Sequence, residues 1–129
     1  MLLICGSQRY IGAAILAGLG ARASGVGMLS IVVPRSIKPI LAAQLPEAVV
    51  IAADETDDGT IATLPDGFND ETIWAKFDAI ACGCGLTSQP VDLIQQLLAT
   101  NRPLILDADA LNILATLPPS NFARSAPTI

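Results

Sequence analysis

Short apolar runs alternate with amphipathic stretches along this chain, in the order expected of repeated βαβ units. Met1 to Cys5 is an apolar run that reads as a strand. From Ile11 to Ser24 apolar residues return every fourth position, at Ile11, Ile15 and Leu19, which predicts a helix ended by Gly25-Val26-Gly27. Met28 to Val33 is β-branched and stopped by Pro34, so it reads as a second strand. A short helix over Ser36 to Gln44 and a strand over Ala48 to Ala52 follow. Phe77 to Cys82 reads as the next strand, closed by Gly83-Cys84-Gly85. Ser88 can cap a helix opened by Gln89 and Pro90, with Val91, Ile94, Leu97 and Leu98 along one face. Leu104 to Leu106 is the last strand and Asp109 to Leu117 the last helix. Strands separated by helices predict right-handed crossovers and a doubly wound, mostly parallel α/β sheet.

Between Ala53 and Asn69 the pattern fails. Asp54, Glu55, Asp57 and Asp58 form an acidic cluster, followed by Gly59, Pro65 and Gly67. A metal site and a solvated loop are both open to such a cluster. The loop is the expectation, mobile and dispensable, because like charges repel and nothing apolar anchors them.

Composition narrows the class. Apolar residues make up 52% of the 129 positions and charged residues 15%, yet no apolar run approaches the roughly 20 residues of a membrane span. High apolarity without a span suits parallel strands buried on both faces. The length is one domain's worth, so residues 1–129 are read as a single domain with no complete second one. A net charge of −5 argues against a nucleic-acid surface. Met1-Leu2-Leu3 lacks the basic region of a secretory signal. Cys5, Cys82 and Cys84 have no metal-ligand spacing, and the chain has no histidine to complete a zinc site. Reduced, buried thiols in a cytoplasmic protein are the expectation.

Candidate chemistry sits where strands end. Ligands of open α/β sheets bind outside the carboxyl ends of the strands, and three such ends stand out. At Cys5-Gly6-Ser7-Gln8-Arg9-Tyr10-Ile11-Gly12-Ala13-Ala14 a strand enters a glycine turn and then a helix of small residues. That order presents unpaired amides to an anion, although it equally permits a tight βα connection. Gly83-Cys84-Gly85-Leu86-Thr87 exposes amides before a helix in the same way. In Asp107-Ala108-Asp109-Ala110-Leu111-Asn112, Asp109 is placed as an N-cap. Asp107 points into the crevice, where it could hold a hydroxyl or a magnesium-bound water. Gly18-Leu19-Gly20-Ala21-Arg22-Ala23 matches the dinucleotide fingerprint by letter, but it lies inside a helix and precedes a strand, the wrong order. Those glycines are read as permitting close helix–sheet packing.

Five segments in order carry a resemblance: Gly6-Ser7-x-x-Tyr10-x-Gly12-Ala13-Ala14, Gly25-Val26-Gly27-Met28-Leu29, Leu45-Pro46-Glu47, Gly83-Cys84-Gly85-Leu86 and Asp107-Ala108-Asp109-Ala110-Leu111-Asn112. Together they resemble the ATP- or ADP-dependent NAD(P)H-hydrate dehydratases, the carbohydrate-kinase-like domain of nicotinamide-nucleotide repair proteins. Cys5 and Thr87 stand where that family usually has glycine, and Cys84 where it has proline.

The resemblance implies a ribokinase-like three-layer sandwich, incomplete in this chain. It implies a reaction in which ATP or ADP, with Mg, phosphorylates the hydroxyl of a hydrated nicotinamide ring and phosphate then leaves to restore NADH or NADPH. By matching position, Ala13 and Gly85, with Gly83 as a further candidate, would contact the hydrated dinucleotide. Gly6, Ser7, Tyr10 and Gly12 would shape the pocket, and Asp107 and Asn112 would line the crevice, Asp107 near magnesium. The family's catalytic aspartate and anion hole lie in a segment beyond Ile129. The chain is therefore expected to be the substrate-side part of the domain, inactive alone, and to associate with the C-terminal half or with copies of itself. A sugar or vitamin kinase of the same fold and a non-catalytic nucleotide-binding module are the alternatives.

Overall fold

In a computed structural model that describes residues 1–87, 90–118 and 123–129, six strands form one sheet. Its middle is the most apolar segment of the chain. Strand β1 (Leu2–Ile4) has both faces buried, with Leu2 and Ile4 on one side and Leu3 and Cys5 on the other. It pairs in parallel with β2 (Ser30–Pro34), placing Leu3 opposite Ile31, and with β5 (Ile80–Cys82), placing Leu3 opposite Ala81. Strand β3 (Val49–Glu55) extends the sheet parallel to β2, and β6 (Leu104–Leu106) extends it parallel to β5. One strand, β4 (Ile61–Thr63), runs antiparallel along β3 and gives the order β4-β3-β2-β1-β5-β6.

Helices cover both faces. On the side of Leu3, Ile31 and Val33 lie α1 (Ile11–Ala23) and α2 (Lys38–Gln44), which bring in Ala14, Ala21 and Leu41. Gly18 of α1 lets the helix lie close on this layer, since a Cβ there would meet the tip of the Leu45 side chain and stand 3.1 Å from Ile31 Cδ1. On the side of Leu2, Ile4 and Val32 lie α3 (Glu71–Trp74), α4 (Val91–Ala99) and α5 (Asp109–Leu114). The apolar face expected of the fourth helix is the buried one: Leu93, Ile94, Leu97 and Leu98. The first layer stops short. Over β5 and β6 no described helix covers it, and Ile105 is 38% exposed on a strand that is otherwise buried.

The fold departs from the sequence expectation in three places. Asp54 and Glu55 are not in a structureless loop but end β3, and residues 56–60 turn back into β4. The Asp54 carboxylate pairs with Arg35 at 2.7 Å, and Glu55 Oε2 accepts from the Ser36 N–H and hydroxyl. Helix α3 was not expected; Asp70 caps it by accepting the Thr72 N–H, which also holds the Asp70 carboxyl below its usual range. Strand β2 starts at Ser30, leaving Met28 exposed, and β5 starts at Ile80, leaving Phe77 to stack on Phe68. The cap expected at Ser88 and the helix opening at Gln89 lie outside the described residues. At the far edge Pro127–Ile129 run beside β6, with the Ile129 N–H donating to the Leu104 carbonyl at 3.0 Å. The Arg124 guanidinium satisfies the last carbonyls of α4, those of Leu97 and Leu98.

Candidate functional site

From β1 the chain steps through α1 to β2 on one side, whereas β5 lies on the other side of β1. The sheet order therefore reverses between β1 and β5, and open α/β sheets bind their ligands in the crevice outside the carboxyl ends at such a reversal. All three strand-end loops singled out in the sequence meet there. The Gly6 N–H donates to the Cys84 carbonyl at 2.8 Å, and the Gly83 N–H reaches the Ile4 carbonyl at 3.3 Å. Gly85 packs against the start of α1; a Cβ on it would stand 2.7 Å from Tyr10 Cβ and 3.0 Å from Ala13 Cβ. Gly83 lies against the Asp107 carbonyl and Ala110, with φ at +135°.

These contacts divide the candidate residues by role. Gly6 and Gly83 spend their amides inside the protein, so they shape the crevice rather than donate into it. Ser7 is fully buried and its hydroxyl accepts the Tyr10 N–H at 3.3 Å, which tightens the opening turn. Among the described residues the amides of Gly12 and Gly85 have no acceptor, and Gly12 faces open space. Ala13 is half-buried beside them. Tyr10 is exposed at the rim, with the Arg9 guanidinium 5.5 Å from its ring centre. Asp107 and Asn112 are both exposed at the mouth of the crevice. Asn112 does not reach the pocket floor: its amide leans toward Asp109 Oδ1 at 3.5 Å.

Asp109 does not cap α5. Ala108 holds the cap position with φ at +48°, and the Asp109 carboxylate instead accepts the Thr87 N–H at 2.9 Å, tying the third loop to the second. A fourth segment closes the ring, and sequence reasoning missed it. The turn between β3 and β4 docks on two of the loops at once. The Gln8 N–H donates to the Gly59 carbonyl at 2.9 Å, and the Thr60 hydroxyl donates to the Leu86 carbonyl at 2.6 Å. The signal was available as Asp58-Gly59 between two apolar runs, a turn dipeptide obscured by the acids around it.

The electrostatics are mild. The three cysteines cluster below the crevice as free thiols. Burial pushes the Cys5 thiol up to about 12, and burial raises the Cys82 thiol as well. Cys84 is raised by burial and then by the Asp107 carboxylate, whose Oδ2 lies 3.7 Å from its sulfur. None is poised as a nucleophile. Among the described residues no three metal-ligating side chains come together, those of the acidic cluster included.

Comparison with known proteins decides the family. The family model described as NAD(P)H-hydrate dehydratase matches residues 1–129. This chain belongs to that family. The bifunctional NAD(P)H-hydrate repair enzyme of Synechocystis is 49% identical over 131 residues, which are all of this chain and 24% of that enzyme. The ADP-dependent (S)-NAD(P)H-hydrate dehydratase of Bacillus subtilis is 36% identical over 115 residues, 85% of this chain and 37% of the relative. The chain thus spans about a quarter of the bifunctional relatives' length. A crystal structure of the Bacillus subtilis ADP/ATP-dependent NAD(P)H-hydrate dehydratase, co-crystallised with ATP and Mg2+ and soaked with CoA, superposes with a TM-score of 0.66 at 34% identity. The match covers 98% of this chain and 42% of that one. A ribokinase-like superfamily protein of Enterococcus faecalis shares the fold with a TM-score of 0.71 at 23% identity, over 98% of this chain and 41% of that one. The fold of this dehydratase-family chain is therefore ribokinase-like, a mostly parallel sheet between helical layers. No described helix is long and apolar enough to cross a membrane.

Proposed function

We propose that this chain supplies the substrate-binding part of an ADP- or ATP-dependent NAD(P)H-hydrate dehydratase and does not complete the reaction alone. The observation that carries the reading is the packing of Gly85 on Ala13 and Tyr10 at the β1/β5 reversal. It joins two of the family-like motifs into one wall, with the free amides of Gly12 and Gly85 facing a phosphate-bearing ligand. Helix α1, 13 residues long, starts at this wall, and its N-terminal partial charge favours the dinucleotide's phosphates. Gly6, Ser7 and Gly83 hold the wall's shape, Tyr10 borders it, and Asp107 and Asn112 face the ligand from the opposite rim.

Magnesium suits Asp107 as a hard, exposed oxygen donor, but a single carboxylate makes no ion site by itself. Magnesium would be held by nucleotide phosphates with Asp107 beside them, where it would neutralise phosphate charge. Among the described residues of the crevice no other side chain is equipped to take the proton from the substrate hydroxyl, since the thiols below it are held protonated. In this reading the general base is supplied by a part of the domain outside these residues, as the family resemblance implies.

The same reading accounts for the bare stretch of sheet. Leu3, Ala17, Ala81, Cys84 and Ile105 line an apolar groove of about 130 Å3 beside α1. In this reading the rest of the domain is the partner that covers it, on the side of the sheet edge at Pro127–Ile129. The three reduced thiols suit the cytoplasm.

The test is reconstitution. The purified chain is mixed with the remainder of the domain, taken from the Synechocystis relative, and supplied with hydrated NADH, Mg2+ and either ADP or ATP. NADH should appear only when both polypeptides are present. Sugar- or vitamin-dependent nucleotide consumption by the pair, without NADH recovery, would replace this reading with the kinase one.

A further inference from the structure

We propose that Thr60, on the turn between β3 and β4, is the positioning residue of the glycine loop 83–87. The proposal rests on the dehydratase reading for what the loop binds. Its structural part stands alone.

Thr60 is a polar residue only 1% exposed, yet nothing about the turn itself requires its hydroxyl. The turn is already closed by the Gly59 N–H donating to the Thr56 carbonyl and the Thr56 N–H donating to the Thr60 carbonyl, both at 2.9 Å. The Thr60 hydroxyl points outward, toward the neighbouring loop. Its proton goes to the Leu86 carbonyl at 2.6 Å, and its oxygen accepts the Thr87 hydroxyl at 3.3 Å.

Those bonds hold a strained backbone. Thr87 has φ at +65°, a left-handed conformation that a β-branched residue rarely adopts. Without support that loop would relax, and the neighbouring Gly85 would leave its seat on Ala13 and Tyr10. Two anchors prevent this: Asp109 Oδ2 on the Thr87 N–H from one side, and Thr60 on the Leu86 carbonyl and Thr87 hydroxyl from the other. The turn is itself fixed to the first ligand loop through the Gln8 N–H and the Gly59 carbonyl. A side chain at 59 would overlap Gln8, so the turn sits in register with the opening loop as well. Thr60 thereby holds the glycine loop in place against the opening loop, the two segments of the wall that faces the dinucleotide. It touches no ligand, and acts through Leu86 and Thr87.

The test pairs amide hydrogen exchange with ligand titration on the whole chain. Thr60→Val removes the hydroxyl at nearly constant volume, and Thr60→Ser restores it. In Thr60→Val the Leu86 and Thr87 amides should exchange about tenfold faster, the scale of one lost hydrogen bond, while Ile4 and Leu97 in the core stay as protected as before. Affinity for hydrated NADH should fall by a similar factor, and Thr60→Ser should recover both. Should Thr60→Val not fold, Thr60→Ala removes the same hydroxyl without setting a methyl group beside the Leu86 carbonyl. Faster exchange confined to residues 84–87 in that variant, at an unchanged melting temperature, carries the same meaning. Unchanged loop exchange, or a uniform rise across the core, would overturn the positioning role. Absence of dinucleotide binding by the unaltered chain would instead defeat the substrate reading, with the exchange result still deciding the role of Thr60.

Discussion

Gly83 lies directly against the Asp107 carbonyl, and no side chain fits between them. The backbone has no room to give there. The Asp107 N–H donates to the Cys82 carbonyl at 3.1 Å, and the Gly83 N–H is held by Ile4. Strands β5 and β6 are therefore locked together at the point where the crevice begins. Gly83→Ala should cost on the order of 3–5 kcal/mol, overpacking added to strain at positive φ. Gly12, with nothing within 4 Å of a built Cβ, is the control. Gly12→Ala should be neutral or stabilising by up to about 1 kcal/mol, as expected for glycine in a helix. Urea unfolding of both variants checks this, and a Gly83→Ala protein as stable as its parent would refute it.

Ala13 separates binding from folding. Ala13→Asp puts a carboxylate in the first turn of α1, where the helix favours it, so stability should hold or rise by about 0.3–1 kcal/mol. The same carboxylate faces the ligand's phosphates, and dinucleotide affinity should fall by about 1–3 kcal/mol. Melting curves and equilibrium titration of one preparation give both numbers. Unchanged affinity in the folded variant would remove Ala13 from the site.

The acidic cluster splits in two. Asp57 and Asp58 are exposed at the tip of the turn, and replacing both with Ser should shift stability by no more than about 0.5 kcal/mol. Glu55 accepts two hydrogen bonds from Ser36, so Glu55→Ala should cost about 1–2 kcal/mol. Asp54 pairs with Arg35 in the open and should contribute less than about 1 kcal/mol. Equal effects of all three changes in thermal unfolding would contradict the hairpin.

The thiols report on Asp107. Burial and the Asp107 carboxylate both raise the Cys84 thiol, so little thiolate is present near neutral pH. Alkylation by iodoacetamide should be slow there, accelerate at alkaline pH, and fall on Cys84 before the buried Cys5 and Cys82. In Asp107→Asn the raising charge is gone. Cys84 then ionises at lower pH, and its labelling should be faster at any fixed pH below full ionisation. Mass mapping of labelled peptides checks the order; an Asp107→Asn rate equal to the parent's would show that the carboxylate does not act on Cys84.

Much of the sheet was legible because its strands are buried on both faces. Leu2–Ile4, Leu104–Leu106 and the β-branched run at Ile31–Val33 leave no other reading, and the small residues of α1 mark the helix that packs closest. The hairpin at Asp54–Thr63 was not legible. Its acids look solvated in sequence, and only tertiary contacts with Arg35, Ser36 and Gln8 explain them. The glycine motifs marked loops that the fold brings together, but their spacing could not tell shape from donation. Gly6 and Gly83 looked like amide donors until the Cys84 and Ile4 carbonyls were seen to occupy them. Asp109 looked like a cap for the same reason: its partner, Thr87, is 22 residues away in sequence.

The most direct measurement is an amide-resolved titration of the chain with hydrated NADH, followed by nuclear magnetic resonance. Binding at the β1/β5 reversal should move the Gly12, Ala13 and Gly85 amides most, saturably and together, with Asp107 and Asn112 following. Saturable shifts confined to the opposite, amino-terminal ends of the strands, around Met28 and Phe77, would contradict the account.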